Sequence, residues 1–188
     1  MSGEVTDGAG ADGPGIPAHF QFRIKTFTGR YLPVEDRLRL DGVDVEGVEQ
    51  CILLTRRLCN KLVPTIATQL EENFPEGMPR DVAQDMRQSS ARQVRSATAT
   101  ESPVVPGSAS PTWLCVTIHI KKFPNGEFLV VFTDDRSIDA SMGMTEVNFR
   151  AVLDVLHELY EKAEWSSECF PDWFERPGPV EPSQLRLN

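Results

Sequence analysis

The side chains able to do chemistry here are three histidines, four cysteines and a scatter of carboxylates. His19, His119 and His157 fall in different predicted elements, and the chain has no H-x-x-x-H pair, nucleophile elbow or metal-spaced Cys/His set. His119 alternates with Lys121 along a predicted strand, which makes it a surface imidazole rather than a general base. Asp134-Asp135 offers two carboxylates to a cation, but an acidic pair after a strand is also what a turn selects. The glycines of residues 8–15 lack the preceding strand and the lysine that a phosphate-binding loop requires. Cys51, Cys59, Cys115 and Cys169 include no C-x-x-C pair and lie on apolar or near-apolar faces, so they read as reduced core thiols. These residues predict no catalytic centre, no metal and no cofactor. What is left is the chemistry of surfaces.

Composition narrows which surfaces. The chain has 188 residues, 40% hydrophobic and 25% charged, enough for one ordinary domain or two small ones. A formal charge of -9 argues against a general nucleic-acid or anionic-membrane binder, because neutralising phosphates needs clustered Lys and Arg. The first residues have neither a basic nor an apolar leader region, and no run approaches the ~18 apolar residues of a membrane span. The expected setting is cytoplasmic, with the nucleus as the alternative.

The elements follow from the hydrophobic pattern. Residues 1–17 are Gly-rich and acidic and read as a disordered tail. Residues 19–27 alternate, with Phe20, Phe22 and Ile24 on one face and Gln21, Arg23 and Lys25 on the other, which predicts a half-buried strand. Thr28-Gly29-Arg30 reads as a turn. Tyr31-Leu32-Pro33-Val34 reads as an edge segment, because Pro33 cannot donate to a ladder. Asp41-Gly42 predicts a type I′ hairpin that sets Leu40 against Val43, Arg39 against Asp44, Leu38 against Val45 and Arg37 against Glu46. An amphipathic helix is predicted from about Gly47, with Val48, Ile52, Leu58, Leu62, Ile66 and Leu70 near one stripe and Pro64 kinking or dividing it. Residues 75–112 read as a flexible linker containing a weak helix over 79–95, whose only apolar anchors are Val82, Met86 and Val94. Ser102-Pro103 and Ser110-Pro111 are dipeptides at which Ser102 or Ser110 could be phosphorylated.

In the second half, Pro124-Asn125-Gly126 suits a three-residue loop that pairs Phe123 with Glu127, Ile120 with Val130 and Ile118 with Phe132. Val116, Ile118, Ile120, Phe128, Val130 and Phe132 then share one face. Thr117, His119, Lys121, Leu129 and Val131 share the other. A short third strand is expected over 136–142. Thr145 is the predicted cap of a helix with a Met144/Phe149 staple and a stripe of Phe149, Val152, Leu153, Leu156, Tyr160 and Ala163. Glu146 with Arg150 and Glu158 with Lys162 are predicted outer-face ion pairs. Cys169 to Phe174 concentrates aromatics that must pack internally or on a partner, and residues 177–188 read as a disordered tail.

The expected fold class is α+β, antiparallel hairpins or meanders each followed by an amphipathic helix. Its units are 18–74 and 113–176, joined by the 75–112 linker. A βββα–linker–βββα pseudo-repeat is one form of it, in which Phe22–Phe27 matches Ile118–Phe123, Gly29 matches Gly126 and Tyr31-Leu32 matches Phe128-Leu129. Trp113 opening a strand, two further strands and Met142-Gly-Met-Thr-Glu-Val-Asn-Phe149 leading into a Leu-rich helix resemble a COMM domain over residues 113–165. That resemblance implies a dimerising βββα scaffold of larger trafficking assemblies.

The leading functional expectation is a non-catalytic protein–protein interaction module, an adaptor or subunit of a complex. Its contact modes would be strand addition and aromatic anchoring, and its candidate partner-binding residues are Leu129, Val131, Trp173 and Phe174. The alternatives are an RNA-binding module using a basic strand face of Arg23, Lys25, His119 and Lys121, and the COMM-like scaffold.

Overall fold

The computed structural model describes residues 22–71, 79–98, 102–136 and 138–174. The expected tails over 1–17 and 177–188, with His19 and Phe20, lie outside them. The elements are β1 (Phe22–Arg23), β2 (Thr26–Leu32), β3 (Arg37–Val43), β4 (Glu49–Thr55), α1 (Arg56–Glu71), α2 (Arg80–Thr98), β5 (Thr112–Leu114), β6 (Thr117–Lys122), β7 (Phe128–Thr133), β8 (Asp139–Met144) and α3 (Glu146–Lys162). The protein is α+β, with two mixed sheets of order β1-β8-β7-β6 and β2-β3-β4-β5. Pairs β1/β8 and β4/β5 are parallel, and the rest are antiparallel.

The chain crosses between the sheets at two bends. At the first, Ile24 N donates to Ser141 O at 2.8 Å and Lys25 N to Val43 O at 2.8 Å. At the second, Cys115 N donates to Leu53 O at 2.9 Å and Val116 N to Thr133 O at 2.9 Å. Each sheet therefore takes its last strand from the other half of the chain. Phe22, Leu38, Ile52, Ile66, Phe132 and Leu153, drawn from both halves, belong to one hydrophobic core. Burying all of their apolar area together is what holds the two sheets as a unit.

The local signals of the first half mislead. Asp41-Gly42 is not a turn; it lies inside β3, paired with Thr28 and Phe27 on one side and Cys51 and Gln50 on the other. Two tertiary contacts explain this. Asp41 is fully buried, with Arg30 Nε 2.9 Å from its carboxylate and Arg39 bound to both its oxygens. At Gly42, a Cβ would stand 3.3 Å from Phe22 and 3.4 Å from Ile24, so the glycine makes room for the crossing chain. The true β3–β4 loop is Asp44–Val48, closed by Asp44 N donating to Val48 O and containing Gly47 at φ 84°. What read as the start of a helix at Gly47 is β4, and the helix begins at Arg56. Gly29 likewise sits within β2 rather than in a turn, because α3 packs on its backbone; a Cβ there would meet Leu159 Cδ1 at 2.8 Å. The reversal falls at Pro33–Asp36, with Asp36 at φ 48°. The matching of Gly29 with Gly126 therefore fails. Pro64 does not divide α1; it lies on the exposed side while Cys59, Leu62, Val63, Ile66 and Leu70 hold both flanks to the core.

In the second half local and tertiary signals agree. Ile118 pairs with Phe132 and Ile120 with Val130 as the loop predicts, Phe123 N donates to Glu127 O, and Gly126 has φ 84°. The third strand starts later than expected, at Asp139. Thr145 caps α3, its hydroxyl accepting from Asn148 N. Of the predicted outer-face pairs, Glu146–Arg150 forms at 2.9 Å, though with Arg150 only 1% exposed, while Glu158 stays exposed but pairs with Arg95 of α2 instead of Lys162.

The stretch expected to be linker is mostly structure. α2 lies along α3, but not on its apolar anchors. Val82, Met86 and Val94 face solvent, and the buried face is Ala83, Gln84, Gln88 and Ala91. Residues 102–111 cross the outer face of the second sheet. Val104 N donates to Thr28 Oγ1, Arg30 to Val104 O, Gly107 N and Ser110 Oγ to Glu49, and Cys51 N to Pro111 O. These bonds cover Asp41 and Cys51, which a bare sheet face would leave wet.

Candidate functional site

Among the described residues the sheets have free edges, and hydrogen-bond phase tells which backbone groups they present. Asp44 N bonding Val48 O makes Leu38, Leu40 and Gly42 exchange with β4. Arg37, Arg39, Asp41 and Val43 then exchange with β2 through Leu32, Arg30, Thr28 and Thr26. The N–H and C=O groups of Phe27, Gly29 and Tyr31 are left pointing off the free edge of β2. Beside that edge runs one face of α3, with Asn148, Ala151, Val155, Glu158 and Lys162 at helical spacing. Between them lies a cleft of about 730 Å³. Phe27, Met142, Val152 and Val155 form its apolar floor, and Lys25 and Lys162 are exposed at its rim. Neither lysine is ion-paired among the described residues. Arg95 also borders the cleft but is spent on Glu158 at 2.6 and 2.9 Å.

On the far side of that ion pair a polar depression of about 480 Å³ is lined by Arg92, Arg95, Ser96, Asp154, His157 and Glu158. Its groups are engaged with one another. Arg92 Nε donates to Asp154 Oδ1 at 2.9 Å, and Ser96 Oγ to Arg92 O at 2.9 Å. The His157 ring stands edge-on to Phe170, and its Nδ1 is 3.9 Å from Glu161. This is the outer end of a polar seam between α2 and α3. Deeper in it, Arg150 donates to Glu146 at 2.9 Å and to Gln84 Oε1 at 2.6 Å, while Gln84 and Gln88 donate to Leu70 O and Arg150 O. Burial lowers the Arg150 pKa. Composition alone hides this seam, since α2 reads as a solvated helix; an arginine in the apolar-flanked run of α3 is the only local hint.

The thiols are poor nucleophiles. Burial pushes Cys59 up to about 12 and Cys115 to about 11, and raises Cys51 and Cys169 as well. Among the described residues no group of three or more His, Cys, Asp or Glu could hold a metal ion, and no helix is long and apolar enough to cross a membrane.

The sequence-predicted site residues scatter. Trp173 and Phe174 are buried within the chain: Trp173 Nε1 donates to Glu71 at 2.7 Å, and Phe174 lies under the Arg92 guanidinium. They pack internally and are not displayed to a partner. Leu129 is 4% exposed between Gly143 and Lys121, and Val131 is half-buried between Ser141 and His119. Arg23, His119 and Lys121 do share the outer face of one sheet, but at its opposite edges. The row Arg23–Ser141–Val131–His119 spans three strand spacings, roughly 14 Å. Lys25 leaves that sheet at the bend and joins the cleft rim. The strand rings Phe22, Phe128 and Phe132 are buried in the core.

Compared with models of known families, with curated proteins and with solved structures, the chain finds no match in any of the three.

Proposed function

We propose that the protein is a non-catalytic interaction module, acting in the cytoplasm or nucleus, that takes an extended segment of a partner protein as an added strand on the free edge of β2. One observation carries this: the edge groups of Phe27 and Gly29, unpaired among the described residues, border an apolar-floored cleft against α3, and those of Tyr31 continue the same edge beyond it. Main-chain bonds to the edge would supply affinity, and the cleft would sort side chains. Its volume falls in the range of about 300–1,000 Å³ that binding sites occupy. Aromatic anchoring drops out, because Trp173 and Phe174 already have internal partners. An RNA strand on the basic outer face would find phosphate contacts at Arg23, His119 and Lys121, but the phenyl ring there, Phe123, is already covered by the Lys121 ammonium, so that reading is the weaker one.

We also read the two halves as copies of one βββα unit. Asp44 Oδ1 accepts from the amides of Glu46 and Val48, and Asp134 Oδ1 accepts from those of Arg136 and Ile138. Thr55 caps the start of α1 as Thr145 caps α3. In sheet order β2-β3-β4-β5 corresponds to β6-β7-β8-β1.

The test uses Ala151→Glu, which places a carboxylate in the cleft from a half-buried position on α3. The full-length chain should retain a partner from cell extract, and the partner should slow amide exchange at Phe27, Gly29 and Tyr31. The variant should lose that partner with an unchanged unfolding midpoint. Equal retention by both proteins would remove the β2 cleft as the site.

A further inference from the structure

We infer that the free edge of β6 is a second strand-addition site, and that its occupant is an extended protein segment alternating apolar with acidic residues. This stands on the geometry of β6 and not on the β2 cleft, which lies in the other sheet. Phe123 N bonding Glu127 O sets the phase. Thr117, His119 and Lys121 exchange with Thr133, Val131 and Leu129 of β7. The amides of Ile118 and Ile120 therefore point off the sheet, and neither has a partner among the described residues.

The side chains say what would pair there. On the core side of β6, Ile118 and Ile120 are only half-buried, and Val116 just before the strand is 48% exposed. A strand laid alongside would cover them with its own apolar positions. On the outer side, His119 and Lys121 are exposed, and a directly opposed carboxylate is the favourable cross-strand neighbour of each. Period two thus demands apolar and acidic residues in alternation. A second copy of this edge fits badly, since it would set lysine and histidine against their like. A nucleic-acid strand would again lack a stacking ring on that face, where Phe123 is already covered by the Lys121 ammonium at 5.1 Å.

The experiment titrates isotope-labelled full-length chain with a blocked peptide of alternating valine and glutamate, and with valine–lysine and valine–glutamine counterparts. The expected result is slowed amide exchange at Ile118 and Ile120, but no further slowing at His119 and Lys121, which are already bonded. The order of affinity should be glutamate above glutamine above lysine. Lys121→Glu, checked for its fold in the same spectra, should weaken the glutamate peptide roughly three- to tenfold and favour the lysine one. Several results would overturn the inference: no protection at Ile118 and Ile120, or equal binding of the three peptides. Protection confined to Phe27, Gly29 and Tyr31 would do so while leaving the β2 proposal standing. Tighter binding of oligouridine at the same amides, or self-association through them, would overturn it in favour of RNA or a second copy.

Discussion

Replacing Arg150 by alanine tests the polar seam that holds α2 on α3. The guanidinium is 1% exposed, donates at 2.9 Å to Glu146 and 2.6 Å to Gln84, and lies 5.8 Å from the centre of the Trp173 ring. Removing it deletes two charge-assisted hydrogen bonds, leaves Gln84 Oε1 buried without that donor and opens a gap beneath the indole. Against this, a costly buried cation disappears, whose Nη1 has no hydrogen-bond partner among the described residues. Breaking a buried pair by deleting one member usually costs about 3–5 kcal/mol. The lower end applies because the Glu146 side chain, 35% exposed, can turn to water. The expected loss is about 3 kcal/mol, or a melting temperature roughly 6–12 °C lower. Urea unfolding followed by tryptophan emission reads it, with Trp173 as the adjacent reporter. A double-mutant cycle with Gln84→Ala isolates the bond: the single losses should overshoot the double loss by about 1 kcal/mol or more. A loss under about 1 kcal/mol for Arg150→Ala, or additivity within about 0.5 kcal/mol, would refute the coupling.

The remaining predictions concern the contacts around the cleft. Gly29→Ala pushes a methyl to within 2.8 Å of Leu159 Cδ1 and 3.1 Å of Val155 Cγ1, so it should cost about 1–2 kcal/mol by chemical denaturation. A neutral or stabilising result would mean that α3 does not rest on β2. The hydrogen bond from Arg95 holds the Glu158 carboxyl below the usual glutamate range. That ion pair therefore contributes above the ordinary carboxylate range and is lost as pH falls through the lowered value. A carboxyl-resolved NMR titration should show the low midpoint moving up in Arg95→Gln, and no movement would exclude the pairing.

How much was legible depended on whether the deciding interaction was local. The β6–β7 register could be read because Pro124-Asn125-Gly126 sets the loop and Ile118, Ile120, Val130 and Phe132 only match one way. Thr145 could be read because a cap bonds its own first turn. The β2 cleft could not be read, since it lies between a strand and a helix from opposite ends of the chain, and the polarity of α2 gave no sign of the seam beneath it. The charge of Lys25 is legible in the sequence but its surface is not, because the bend after Ile24 is made by tertiary hydrogen bonds and leaves no local signal.

Residue order by itself determined the α+β class, the second meander and the capped helix, because period-two alternation, turn glycines and caps act over a few residues. Only the tertiary structure decided that Asp41-Gly42 continues a strand. An Asp-Gly pair favours a turn by a modest local preference, and a buried carboxylate held by Arg30 and Arg39, with Phe22 and Ile24 crossing at the glycine, outweighs it. The same holds for Arg150 and the Gln84–Gln88 face. Polar residues go inside when distant partners satisfy them, and those partners meet only after the two halves have shared their sheets.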